Sequence, residues 1–512
     1  MRNYAKLLYQ RVVLVTLSIV LQVLALAVVL ARFSQYARWF AAVMGALSVI
    51  AVIFIVASRT DPSYKIAWII PILVAPVFGL SFYLLFGGNR LSRRLKRKMR
   101  TVEQLQRDNL SQDGRVLSRL RALSPEAALQ ANYLAGTACC PAFENTETTY
   151  YACGEACFPA MLEALRGAKR YIFLEYFIIG RGSMWDEILD ILRKKAAAGV
   201  DVRVIYDDFG CITTLPGGYY KKLESYGIRA CAFNPYIPIM SSRLNNRDHR
   251  KFLIADGAVG FTGGINLADE YINRKERFGY WKDAVVRLRG EAVWSMTVMF
   301  LAMWAQIRGW REPVAALRPA APPAAEEAEP RGFTQPFSDT PLDNEAVAET
   351  VFFNLITKAR QYVWIMTPYL ILSDKMISAL TVAAKNGVDV RVVTPGVPDK
   401  RYVYSVTRAY YEDLCRAGVR VFEYSPGFIH SKVFCVDGEY AVVGTVNFDF
   451  RSLYLHFEDG VLLFRAACIA DVEKDFRGTF PVCHEVSLAE TRAVPFPVRL
   501  WRTFLRLFAP LM

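Results

Sequence analysis

Residues 199–204 read Gly-Val-Asp-Val-Arg-Val, and residues 387–392 repeat them letter for letter. The echo extends outward. Tyr219-Tyr220-Lys221-Lys222-Leu223 returns as Tyr410-Tyr411-Glu412-Asp413-Leu414, and Gly227-Ile228-Arg229 returns as Gly418-Val419-Arg420. The offsets, 188 and 191 residues, are far longer than a solenoid repeat, so the chain carries a duplicated domain. In each copy an apolar strand (Tyr171–Ile178; Tyr362–Met366) precedes a helix rich in Ala and Lys that stops at a Gly. A β-branched strand follows (Val200–Tyr206; Val388–Val393), then a helix and another strand. This alternation predicts α/β units around a largely parallel sheet. The copies occupy residues 115–312 and 332–490. Residues 313–331 between them, rich in Pro, Ala and Glu, read as an extended linker.

The 512 residues are 53% hydrophobic and 21% charged, too apolar for a disordered chain. The net charge of +14 is unevenly placed: residues 1–100 hold 14 basic residues and one acid, Asp61, while the other 412 hold 48 basic and 47 acidic residues. A nucleic-acid enzyme would spread positive charge over its catalytic part. Here the charge accompanies three apolar stretches, Val12–Ala31, Trp39–Ser58 and Ile66–Gly87, which points to a membrane surface and away from nucleic acid. Each stretch reaches the ~20 residues that span a bilayer as a helix. Residues 1–100 therefore read as a multi-pass anchor of two or three spans in the cell membrane. The basic run Arg90–Arg100 puts residues 90–512 on the cytoplasmic side. Three spans would leave Arg2, Lys6 and Arg11 outside, against the same rule, unless the first segment lies on the surface or re-enters it. Within residues 493–512, Trp501, Phe504, Leu505 and Phe508 line one helical face, with Arg499, Arg502 and Arg506 mostly on the other. That pattern suits a helix at a membrane interface or one docked on its own domain. Ten cysteines include no CxxC pair, so they read as reduced thiols with no zinc site.

Only four histidines occur, and two sit at matching places in the copies. His249-Arg250-Lys251 is followed by Asp256, Gly263-Gly264 and Asn266. His430-Ser431-Lys432 is followed by Asp437, Gly444-Thr445 and Asn447. Both fit HxKx4D, and the His-to-Asn spacing is 17 in each. A lone HxK is an exposed charged strand more often than a site, but duplication inside one extended pattern is improbable by accident. Asp256-Gly257 and Asp437-Gly438 read as hairpin turns. His456 and His484 fall outside the repeat and read as polar or capping histidines.

With these motifs the chain resembles the phospholipase D superfamily, whose signature is a pair of HKD motifs, and within it the bacterial cardiolipin synthases. Tyr64–Trp68 and Tyr83–Gly87 resemble the family's N-terminal membrane segment. Gly263-Gly264-Ile265-Asn266 with Asp269-Glu270-Tyr271 matches the first motif, where Gly replaces a Ser seen elsewhere. Glu175-Tyr176, Pro368-Tyr369 and Arg451-Ser452-Leu453 match further positions. Two positions depart: Thr445 stands where Ser is usual, and His456 where Asn is expected.

The fold this implies is α/β: N-terminal transmembrane helices, then two tandem phospholipase D-like α/β/α sandwich domains related by a pseudo-two-fold. The implied reaction is transphosphatidylation of two phosphatidylglycerol molecules to cardiolipin and glycerol, with no cofactor and no metal. A phospholipase D, or a transferase using another acceptor, is the alternative. Metal-free phosphodiester exchange needs a nucleophile, a leaving-group acid, positive charge and orientation. Imidazole can form a covalent phosphohistidine, and a second imidazole can pass protons. The resemblance implies that the two histidines differ in role; by analogy His249 attacks and His430 is the acid/base. Lys251 and Lys432 would neutralise the phosphate, and Asn266 and Asn447 would hydrogen-bond it. Asp256 and Asp437 complete the two HKD sets in a supporting, structural part. Each His also wants a carboxylate on its other ring nitrogen, and Asp283 and Glu458, in matching late strands, are the candidates.

Overall fold

The computed structural model describes residues 37–58, 61–87, 102–235, 246–309, 313–319, 332–343 and 345–511, with helical residues also at 17, 20–25, 27–28 and 32. More than half of the first apolar stretch, the basic run at residues 90–100 and most of the inter-copy linker lie outside the described residues.

The first half supplies β1 (Thr146–Tyr151), β2 (Tyr171–Tyr176), β3 (Asp201–Asp207), β4 (Arg229–Phe233), β5 (Arg247–Asp248), β6 (Phe252–Ala255), β7 (Val259–Gly263), β8 (Tyr280–Lys282) and β9 (Val285–Gly290). The second supplies β10 (Phe333–Asp339), β11 (Tyr362–Met366), β12 (Asp389–Pro395), β13 (Arg420–Tyr424), β14 (Gly427–Ile429), β15 (Val433–Val436), β16 (Tyr440–Gly444), β17 (His456–Phe464) and β18 (Cys483–Val486). One sheet runs β1-β9-β7-β6-β2-β3-β4, and the other runs β10-β17-β16-β15-β11-β12-β13-β18. Strand for strand the orders match, and β18 is an added edge.

The sheets are mixed, which corrects the expectation of a largely parallel one. In the first, only β2-β3 and β3-β4 are parallel; β1-β9, β9-β7, β7-β6 and β6-β2 are antiparallel. The parallel part is where helices Ser183–Ala197 and Tyr219–Glu224 make the crossovers. Beyond it the chain returns by the tight turns at Asp256-Gly257 and Asp437-Gly438, where all four residues have positive φ. Hairpins of that kind can join only antiparallel strands.

The helix Val293–Arg308, buried from Val293 to Trp304, lies between the halves. Phe300 stacks on Phe173 at 4.6 Å, and one hydrophobic core runs from there through Phe337 and Phe352 into the second half. β7 and β9 lie against β16 and β17, so the sheets meet along those strands.

Among the described residues no helix is long and apolar enough to cross a membrane. The expected N-terminal transmembrane helices are therefore corrected. The third apolar stretch is broken into Pro62–Val74, Pro76–Phe82 and a π turn at Tyr83–Gly87. Pro76 cannot donate the hydrogen bond that would continue the first of these helices. With helix Ala37–Ala57 it folds back on itself, Ile55, Trp68 and Ile72 forming a small core. The helix Phe496–Phe508 buries Leu505 against the domain and leaves Leu500, Trp501 and Phe504 more than half exposed.

Candidate active site

The site is built by an exchange between halves. β5, just before His249, pairs with β17 of the second half, Arg247 opposite His456 and Asp248 opposite Phe457. β14, just before His430, pairs with β8 of the first half. The backbone locks continue into the histidines: His249 donates its N–H to Phe457 O at 2.9 Å, and His430 to Lys282 O at 2.7 Å. Each histidine is thus held on a strand of the opposite half, one residue away from a carboxylate.

Those carboxylates complete the exchange. His249 Nδ1 lies 2.9 and 3.0 Å from the two oxygens of Glu458, and His430 Nδ1 lies 2.7 Å from Asp283 Oδ2. Both acids are fully buried and each histidine is 7% exposed. A carboxylate on Nδ1 fixes the tautomer with Nε2 unprotonated and free to react. Thr445 Oγ1 donates to Glu458 Oε2 at 2.5 Å. The equivalent residue, Gly264, has room only for hydrogen: a Cβ there would sit 1.9 Å from Asp283 Oδ1.

Lys251 and Lys432 are buried beside the histidines, with Nζ of Lys251 donating to His249 O at 2.6 Å and Nζ of Lys432 to His430 O. Burial pulls Lys251 down to about 8 and Lys432 down to about 7. Burial likewise lowers His249 to about 3, against the pull of Glu458, and His430 to about 4. Burial would raise Glu458, but His249 and His456 hold it below the ordinary carboxylate range. In the empty site burial thus favours the neutral form of both rings.

Asn266 is engaged on both sides, accepting from the Ile178 amide at 2.9 Å and donating to Tyr271 Oη at 2.8 Å. Asn447 is buried, and its Oδ1 has no partner among the described residues. Asp256 and Asp437 are not brought to the histidines. Each lies at the far end of its strand and accepts from three successive backbone amides: Lys169, Arg170 and Tyr171 for Asp256, and Arg360, Gln361 and Tyr362 for Asp437. They tie the turn after β6 or β15 to the start of β2 or β11.

Three participants escaped the sequence reading. Asp459 accepts from the Lys251 amide and from Thr262 Oγ1, and burial raises its carboxyl to about 7. Arg250 pairs with Glu175 at 2.5 Å and reaches Asp248 at 3.3 Å. His456, read as a polar or capping residue, instead lies against His249, ring centroids 5.7 Å apart. His484 is a surface residue 3.1 Å from Glu490. Glu458 and Asp459 inside the otherwise apolar run Phe457–Phe464 were the available signal, since acids in a buried strand need partners. His249, His456 and Glu458 also form a group able to hold a metal ion.

The family model described as "Cardiolipin synthase, PLD-like domain" matches residues 161–288 and again 352–479, and one described as "Phospholipase_D-nuclease N-terminal" matches residues 46–88. A cardiolipin synthase of Geobacillus thermodenitrificans is 34% identical over 91% of this chain and 92% of its own. An uncharacterized protein of Streptococcus mutans is 41% identical over 90% of this chain and 99% of its own. Among solved structures, the phosphatidylserine synthase of Haemophilus influenzae shares the fold, with a TM-score of 0.54 and 16% identity over 72% of this chain and 96% of that one. The fold and the paired motifs define a phosphatidyltransferase of the phospholipase D superfamily. Within that superfamily, the chain belongs to the bacterial cardiolipin synthases.

Proposed function

We propose that this site makes cardiolipin and glycerol from two phosphatidylglycerol molecules by way of a covalent phosphohistidine. His249 Nε2 attacks the phosphorus of the first lipid. The P–O bond to glycerol breaks, and the departing oxygen takes the Nε2 proton of His430, which enters the step as an imidazolium balanced by Asp283 and the substrate phosphate and leaves it neutral. His430 then removes the proton from a headgroup hydroxyl of the second lipid. That oxygen attacks the phosphorus, the P–N bond breaks, and His249 returns to its starting form. Lys251 and Lys432, with Asn266 and Asn447, balance and hold the phosphoryl oxygens. Glu458 and Asp283 orient the two rings and stabilise whichever becomes imidazolium.

The observation that carries this reading is the crosswise pair of Nδ1–carboxylate contacts, which leaves Nε2 of both imidazoles available in one buried site, one to attack and one to carry the proton. The test is to quench the enzyme during turnover with labelled phosphatidylglycerol and map the label. Phosphatidyl adduct on His249 is expected; adduct on His430 reverses the roles, and no adduct on either removes the covalent step.

We further infer that the protein works on a phospholipid bilayer with its catalytic halves toward the cytoplasm. Supporting this are the exposed apolar side chains of Phe496–Phe508 and of helix Ala37–Ala57, together with the excess basic charge of residues 1–100. The ten cysteines are all free, as suits a reducing compartment. Sedimentation with vesicles, with and without anionic lipid, tests the association.

A further inference from the structure

His456 has no part in the phosphoryl chemistry above, yet it is the most conspicuous polar residue beside it. It opens β17 with its side chain 11% exposed. Neither ring nitrogen has a hydrogen-bond partner among the described residues. The nearest carboxylate oxygen, Glu458 Oε1, is 3.6 Å from Nδ1, beyond hydrogen-bond reach. A buried imidazole left unsatisfied on both nitrogens is costly, and such groups in native structures call for an explanation such as an ion.

The surroundings fit one. Glu458 lies between the rings of His249 and His456, and one ligand atom from each of the three residues lies within 4.8 Å of the others. Two imidazoles and a carboxylate are the donor set of open zinc sites, which keep a fourth position for water or substrate. Mg²⁺ and Ca²⁺ take oxygen ligands and do not suit it. Among the described residues no hydrogen bond fixes the His456 ring, so turning it toward an ion would break none. Among the described residues the other half has no counterpart: around His430 stand Tyr271, Trp281 and Phe428, with ring centroids 5.3–5.8 Å away.

We propose that His249, His456 and Glu458 form a transition-metal site, selective for Zn²⁺ over Mg²⁺ and Ca²⁺, whose occupation switches synthesis off. An imidazole lone pair given to the ion cannot attack phosphorus. A carboxylate bound to the ion no longer orients the ring. Only coordinate bonds form and no electron is transferred, so chelation reverses the effect. The inhibition rests on the proposed part of His249 in the reaction; the binding does not, and the two are measured separately.

The experiment uses the purified full chain in detergent, with its cysteines alkylated so that thiols do not bind the ion. Equilibrium dialysis with ZnCl₂ should give one Zn²⁺ per chain, and Co²⁺ should give the strong visible absorption of a tetrahedral site. His456→Asn should weaken Zn²⁺ binding by at least ~10–100-fold. The same substitution should raise the Zn²⁺ concentration that halves cardiolipin formation by a matching factor. EDTA should restore activity, and millimolar Mg²⁺ should leave it unchanged. His456→Gln serves if the Asn variant does not fold. Equal Zn²⁺ affinity in wild type and either folded variant overturns the site. Binding that depends on His456 but leaves activity intact overturns the switch. If His249→Ala is nonetheless inactive, the part proposed for His249 stands apart from that failure.

Discussion

Gly264 and Thr445 occupy equivalent places and serve opposite carboxylates by opposite means. Thr445 adds a hydroxyl that holds Glu458, while Gly264 removes a side chain so that Asp283 can reach His430. Gly264→Ala should push Asp283 off the ring and lower turnover by ~10²–10³, the scale of losing one preorganised electrostatic partner, and should lower the melting temperature as well, because the new Cβ also meets His430 O at 2.9 Å. A folded Gly264→Ala enzyme at full turnover would refute this. The lysines set a pH dependence. Their folded values, about 8 for Lys251 and about 7 for Lys432, lie below that of a free lysine because the charged form is buried. Raising the pH through that window strips charge from the empty phosphate site. Substrate capture should therefore weaken, and kcat/KM, which reports the free enzyme, should fall between pH 7 and 9. A flat kcat/KM over that range would mean that the lysines stay charged or do not meet the phosphate.

At the scale of elements, what could be read locally was read, and what depends on a distant partner was not. The β-branched runs and the Asp-Gly turns carry their own signatures, so strands and hairpins could be placed. Whether neighbours run parallel is decided by which strand comes alongside, and β6 and β15, inserted by their hairpins, made the sheets mixed. The short β5 and β14 have no periodicity at two or three residues, so the exchange that seats both histidines left no trace in the pattern. Apolar length suggested transmembrane helices at the N-terminus, but Pro76 breaks the third stretch, and no described helix can cross a bilayer. The turn aspartates yield a prediction of their own. Asp256 and Asp437 each accept three backbone N–H groups at 2.7–2.9 Å, remote from the histidines. Asp256→Ala or Asp437→Ala should cost ~1–3 kcal/mol of stability by leaving those amides unpaired. Denaturant unfolding should show that loss while the folded fraction keeps its turnover. A variant of unchanged stability with abolished turnover would make the aspartates part of the chemistry.

For the molecule as a whole, neither half holds a complete site. Glu458 lies 209 residues from His249, and Asp283 lies 147 residues from His430, so which acid serves which ring could not be read from spacing even though both acids were candidates. The crossed arrangement puts two chemically similar imidazoles in one enclosed place, and this bears on which acceptor ends the reaction. A phosphohistidine retains much of the free energy of the phosphodiester, so the group that reaches it first decides the product. Water would give phosphatidic acid. A lipid headgroup hydroxyl would give cardiolipin. With both histidines 7% exposed and both lysines buried, bulk water has little access, which protects the reactive intermediate. The leaving glycerol and the attacking headgroup hydroxyl are alike, so the exchange should run near equilibrium in both directions. Added glycerol should suppress cardiolipin and, in excess, regenerate phosphatidylglycerol from it. The measurement is to incubate labelled cardiolipin with the enzyme over a range of glycerol concentrations and resolve the lipids. Phosphatidylglycerol should rise with glycerol at the expense of cardiolipin. If phosphatidic acid dominates at every concentration, water is the acceptor, and the proposed two-lipid exchange gives way to hydrolysis at the same pair of histidines.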